Sequence, residues 1–409
     1  MNIITVDNPV MEMPINVAAK STRIQSIDLL RGIVMIIMAL DHVRDYFHAD
    51  AFIYDPTDLS HTTVAIFLTR WITHYCAPVF VFLAGISAYL YREKRGRNAL
   101  AFFLLTRGLW LVLAELFIVT LEWTFNPTYP FFNLQVIWAT GISMIFLAGL
   151  LYLNKWIVLA IGILLVAGHN LLDNVHVPGH GIGAFIWSLL HEQGSYNFGN
   201  HTFSVRYPLL PWIGIMISGY SIGRLYNSSY DAKRRQRILR WTGVVCILLL
   251  IILRTCTRYG DAVNWSLEKN GLFTILSFLN LTKYPPSLLY ILMTLGPALV
   301  FLSFSEKPLN AINSKLAVFG RVPMFYYLAH IFLIHSLAII AVVLSGHHWS
   351  DMILSTRVNR SPKLKGYGFS LTTVYIVWIV LIVLLYPLCK WFDNYKRSNQ
   401  STKWWLHYL

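Results

Sequence analysis

The stretch SIDLLRGIVMIIMALDHVRDYFH, residues 26–48, sets an acid and an arginine before an apolar run from Gly32 to Leu40, and acids, an arginine and two histidines after it. Its length and apolar centre predict a helix. On that helix Asp28 and Arg31, three apart, pair on one face. Arg31 and His42 are eleven residues apart. At ~100° per residue they return to within about 20° of one direction, and at 1.5 Å rise they stand roughly 16 Å apart. One stripe therefore carries an arginine near one membrane surface and a histidine deep or far along it. Asp45, one turn beyond His42, is placed to hold the imidazole in one tautomer. Asp41, Arg44 and His48 form a second polar row. Ionisable groups inside a membrane span are costly and point first to function; for Asp41 and Arg44 an interfacial or ion-pairing role is the simpler account.

The rest of the chain agrees that this helix lies in a bilayer. Of 409 residues 56% are hydrophobic and 13% charged, about half the charged fraction of a soluble domain. That excludes a soluble enzyme, and the aromatic content (Phe 24, Tyr 22, Trp 14) excludes disorder. Ten hydrophobic spans of helical length follow one another, near 27–47, 64–90, 100–123, 131–153, 155–173, 207–226, 239–256, 285–305, 316–345 and 371–389. The predicted fold is all-α, a polytopic membrane protein of about ten transmembrane helices. Residues 1–25 read as a cytoplasmic N-terminal segment, 26–390 as the membrane domain and 391–409 as a cytoplasmic tail.

The formal charge of +14 would suggest nucleic acid in a soluble chain. Here most of it falls in alternate loops, such as Arg92 to Arg97 and Lys233 to Arg240. With both termini cytoplasmic these loops lie on one side, as inside-positive topology requires. No nucleic-acid partner is expected. The basic loop 346–370 breaks the pattern, through a miscounted span or because it faces an anionic lipid or substrate. Segment 182–192 is too short to span and reads as interfacial.

Three further spans carry polar groups. Arg70 and His74 share a face in the second, ahead of a kink expected at Pro78. Arg107 stands near the inner end of the third, and Glu115 in mid-span needs a partner. In the ninth, Arg321 stands at the cytoplasmic mouth, and Tyr326, Tyr327 and His330 share a face beyond it. Arginines at an inner mouth suit phosphate, because guanidinium forks match its oxygens. Histidine deeper in suits general-base chemistry near neutral pH. The four scattered cysteines show no metal spacing, and no metal is expected.

These blocks, with LTRWITHYCAPVFVFLAGISA at 68–88, YPLLPWIG at 207–214, KYPPSLL at 283–289 and FGRVPMFYYLAH at 319–330, resemble the bacterial membrane family DUF1624. That family is related to heparan-α-glucosaminide N-acetyltransferase. The resemblance implies an acyltransferase of the bacterial inner membrane. Acetyl-CoA would bind from the cytoplasm and a glucosamine-type amino sugar from the other side. Asp28, Arg31, Arg70, Arg107 and Arg321 would serve the donor. Asp41, His74, Tyr326, Tyr327 and His330 would line the substrate cavity, and His42, with Asp45, would act as base or carry the acetyl group. The Arg31-to-His42 spacing also resembles the R-x10-H motif of the acyltransferase-3 family. The lysosomal enzyme has asparagine at the position of His42 and its active histidine shortly after that helix, where His48 is the nearest match here. Both are candidates, His42 first because it shares the stripe with Arg31. The alternative is an amino-sugar permease of the same fold. Helix faces bearing Gly and Ser allow a homodimer.

Overall fold

The computed structural model describes residues 24–400 and 402–408. The chain is mostly helical (71%). In order the helices are α1 (Gln25–Phe47), α2 (Val64–Thr73), α3 (Cys76–Arg95), α4 (Arg97–Leu113), α5 (Thr120–Thr124), α6 (Val136–Leu150), α7 (Lys155–Gly168) and α8 (Ile182–Leu190). They continue as α9 (Leu209–Gly223), α10 (Ala232–Cys256), α11 (Gly271–Leu279), α12 (Leu288–Phe304), α13 (Ala311–Arg321), α14 (Pro323–Leu344) and α15 (Leu371–Asn399). Among the described residues, six helices are long and apolar enough to cross a bilayer, counting α2 with α3, and α4 with α5 through the π-helical turn Ala114–Val119. Shorter apolar helices are Val136–Leu150 and Leu288–Phe304.

Several helices start where a side chain satisfies the free N–H groups of the first turn. Asp231 caps α10, Ser287 caps α12 and Ser370 caps α15. α1 is charged at both ends but enclosed, touching α2, α3, α12, α13, α14 and α15. Its approach to α13 rests on two glycines. A Cβ on Gly32 would overlap the Leu316 carbonyl, and one on Gly320 would overlap the Asp28 carbonyl. Gly85 on α3 and Gly219 on α9 make the same kind of contact against Met216 and Phe82. Small residues let helix backbones meet in lipid, where packing supplies much of the association.

The structure departs from the sequence expectations in specific places. Residues 64–90 form two helices, broken at His74 and Tyr75, so Pro78 lies in the first turn of α3 instead of kinking a continuous helix. Residues 316–345 break likewise at Val322, and Pro323 opens α14, a position where its missing N–H costs nothing. The span expected from 131 begins as strand β1 (Phe131–Leu134). With β2 (Gly194–Phe198) and β3 (His201–Val205) it makes a sheet in the order β1-β3-β2, parallel between β1 and β3 and antiparallel between β2 and β3. The all-α expectation therefore gives way to a helical bundle with a small sheet. The β2–β3 turn is Gly199-Asn200, and Gly199 at φ +60° supplies the left-handed residue of a two-residue hairpin.

α15 continues past 390 to Asn399, and a short turn, Trp404–His407, folds back on α4. There Tyr408 Oη donates to Thr106 Oγ1 at 2.9 Å. Segment 182–192 holds the nine-residue helix α8. The N-terminal segment before Ile24 lies outside the described residues.

Candidate functional site

His42 stands at the far end of the α1 stripe, and its Nδ1 lies 2.8 Å from His330 Nε2. His330 Nδ1 lies 3.0 Å from the Tyr326 carbonyl, which can only accept. The proton of neutral His330 therefore sits on Nδ1, and its Nε2 accepts from His42 Nδ1–H. That leaves the lone pair of His42 on Nε2, which has no hydrogen-bond partner among the described residues. A neutral imidazole with a free Nε2 is the form a general base requires. Trp123 packs edge-on to His42 at 4.9 Å, and Tyr327 does so at 6.4 Å. Asp45, expected to orient this ring, bonds instead to Arg44 Nη2 at 2.7 Å. His330 takes that place.

Cavities extend from His42 toward both ends of the bundle. A middle cavity of about 530 Å3 is lined by His42, Met35, Thr73, Phe80, Ile137 and Tyr327. Phe80 and Ile137 also line a cavity of about 850 Å3 that holds Arg31, Ser87 and Arg107. On the other side His42, Asp41, Gln135, Tyr207 and Lys283 line both the middle cavity and an outer chamber of about 700 Å3. Asp45, Arg206 and Asn359 then join that chamber to an open vestibule of about 780 Å3. Four spaces thus follow in series, and His42 lies at the junction of the inner two with the outer two.

The inner cavity is mostly apolar, with Arg31 and Arg107 its charged residues. Arg31 donates to Ser87 Oγ at 2.7 Å and to the Gly320 and Leu83 carbonyls at 3.3 and 3.4 Å, with Asp28 at 3.7 Å. Arg107 donates to the His407 carbonyl of the folded-back tail. Arg321, expected at the same mouth, is not among the lining residues; its Nε bonds Asp393 at 2.7 Å.

Asp41 is the anchor of the middle. It accepts from Arg70 Nη1, from Thr73 Oγ1 at 3.0 Å and pairs with Arg44 Nη2 at 2.8 Å. Arg70 therefore sits with Asp41 and the vestibule, away from the inner arginines. His74 is buried beside Tyr290 with its Nδ1 unpartnered among the described residues, and lines none of these cavities. Tyr326 stacks on His330 at 5.0 Å. His48 lies beyond α1, where its backbone pairs with Phe369; burial lowers its imidazole, and it lines neither cavity that holds His42.

The outer chamber is lined by further polar and charged residues. Glu115, turned inward by the π-helical turn, accepts from the Trp138 N–H at 2.9 Å and leaves Oε1 unpartnered. Asn133 Oδ1 is also buried and unpartnered among the described residues. Both line the chamber, and unsatisfied polar atoms at a cavity wall mark a polar ligand's place. Arg206 lies over the Tyr284 ring at 4.7 Å and Lys283 at 5.3 Å. Arg357, from the basic loop 346–370, reaches in and donates to Ser204 Oγ of β3 at 2.9 Å. That loop is fixed to α1 by Phe369 N–H on Phe47 at 2.7 Å. Of its charge, Arg357 forms chamber wall and Arg360 lines the vestibule.

These cations dominate the local field. Burial pushes the Tyr284 phenol up, but Arg206, Lys283 and Arg70 outweigh it and bring it down to about 6. Burial, with Arg206 and Arg360 beside it, lowers the Arg357 guanidinium to about 10. A tyrosinate absorbance with its midpoint near pH 6 is expected and should vanish in Tyr284→Phe. Titration of every tyrosine near ~10, the ordinary phenol value, would contradict this field.

Among the described residues no group of three or more His, Cys, Asp or Glu side chains is placed to hold a metal ion. No curated protein sequence matches the chain. Residues 23–256, more than half of it, match the family model for heparan-alpha-glucosaminide N-acetyltransferase, catalytic. The chain therefore belongs to this family of membrane acyltransferases.

Proposed function

We propose that the protein moves an acetyl group from acetyl-CoA to an amino sugar on the opposite side of the membrane. The observation that carries this reading is the series of spaces meeting at His42. The basic loops gather at the end of the bundle where α1 begins, and inside-positive topology supports a cytoplasmic position for that end. Ten crossings with both termini inside fit the same reading.

Acetyl-CoA would enter from that end. Its acyl-pantetheine arm suits the apolar inner cavity, and Arg31 and Arg107 stand where the phosphates would follow. The acceptor would arrive through the vestibule. Asn133, Gln135, Glu115 and Asn359 offer partners for sugar hydroxyls. Arg206, Lys283 and Arg357 favour an acceptor that bears an anionic group beside its amine. The amine attacks the thioester carbonyl, His42 Nε2 takes the amine proton, and as the C–S bond breaks that proton passes from His42 to the departing sulfur, so coenzyme A leaves as its thiol. His330 holds His42 in the tautomer that leaves Nε2 open.

Purified protein should bind acetyl-CoA and acetylate glucosamine. Absence of both a thermal shift with acetyl-CoA and acetyl transfer would remove the transferase reading and leave an amino-sugar permease.

A further inference from the structure

A second basic pocket lies apart from the His42 cavities. It opens between the end of α3, the start of α4, the start of α7 and the turn that follows α9. Arg92, Arg97, Lys155 and Arg224 converge on it from these four elements, with Tyr220 and Ser221 beside them. It shares no lining residue with the cavity of Arg31 and Arg107.

None of its four cations has a carboxylate within 4 Å among the described residues. Elsewhere at this end Arg235 pairs with Glu306, and Arg321 and Arg397 pair with Asp393. Here the contacts are neutral. Arg92 donates to Tyr220 Oη at 2.8 Å and Arg224 to the Ser221 carbonyl at 3.2 Å. Arg97 lies over Tyr152 at 5.3 Å, and Arg224 and Lys155 lie over Trp156 at 5.3 and 5.5 Å. The nearby Glu93 is bonded to the Asn227 amide and is absent from the lining. Ordinary inside-positive charge needs only to lie on the right side, and would not gather four unpaired cations round one hollow.

The outer lip identifies the anion's carrier. Trp156 is 60% exposed and Tyr152 57%, and the exposed Ile157, Ile163 and Leu164 continue along α7. Aromatic residues at such an edge sit at head-group depth, and the apolar face of α7 suits acyl chains. We infer that this pocket binds the phosphate of an anionic phospholipid, with its chains laid along α7. Basic pockets between membrane helices recognise head groups in this way. The inference is independent of acetyl transfer and stands or falls by lipid binding alone.

The test is native mass spectrometry of the full chain with phosphatidylglycerol, phosphatidylcholine or inorganic phosphate. Phosphatidylglycerol should be retained about tenfold better than phosphatidylcholine. The double variant Arg97→Gln/Arg224→Gln should lose that preference, and Lys155→Gln should weaken it if the double variant does not fold. Lys233→Gln/Arg234→Gln, which removes equal charge outside the pocket, should keep it. Equal retention of both lipids, equal loss in the control, or unchanged preference in the pocket variants overturns the proposal. Retention of inorganic phosphate matching that of phosphatidylglycerol also overturns it, in favour of a site for soluble phosphate.

Discussion

Replacing His42 by glutamine should reduce acetyl transfer by about 10²–10⁴-fold, the range of a lost general base. The amide of the new side chain can still donate to His330 Nε2, so the junction between the cavities should keep its shape. Binding of acetyl-CoA should then change little, because the inner cavity holds the donor through other residues. A steady-state assay should show the loss in kcat with the donor KM nearly unchanged. The reverse pattern, a large KM change with kcat retained, would make His42 a wall of the cavity. Full activity in His42→Gln with loss in His48→Ala would move the base to the end of α1, although His48 lines neither cavity there.

The second large effect is expected at Asp41, through folding. Asp41→Ala leaves Arg70 and Arg44, both buried, without the carboxylate they share. Breaking a buried pair from one side costs about 3–5 kcal/mol, because the remaining charge stays desolvated. Arg70 is orphaned here and Arg44 keeps only Asp45, a loss that takes a large share of the stability of many domains, about 5–15 kcal/mol. The variant should melt far below the parent or fail to accumulate in the membrane. Normal melting would show that Arg44 is satisfied by Asp45 and that Arg70 finds solvent in the vestibule.

The stripe of Arg31 and His42 was legible because helical period alone sets it, and the apolar run between them fixes the helix. What held His42 was not legible. Asp45 is near in sequence, whereas His330 is 288 positions away and meets His42 only because Gly32 and Gly320 let α1 and α13 close up, with α14 following directly. Period identifies faces, and contact between distant faces depends on packing that no single segment encodes. The same limit hid Lys283 and Tyr284, in the link between α11 and α12, and Arg206, between β3 and α9. Loop 346–370 looked misplaced when counted as charge, since only the fold shows Arg357 turned into the chamber. β1 is not legible in the sequence, because Phe131–Leu134 runs straight into the apolar helix it precedes and its partner strand lies some seventy residues on.

A sidedness assay tests transfer across the bilayer through one site. The protein is sealed in vesicles of known orientation, with labelled acetyl-CoA at the end of Arg31 and Arg107 and glucosamine at the vestibule end. Labelled N-acetylglucosamine should accumulate on the vestibule side while intact acetyl-CoA stays where it was added. Product that forms only when donor and acceptor share one compartment would contradict the account.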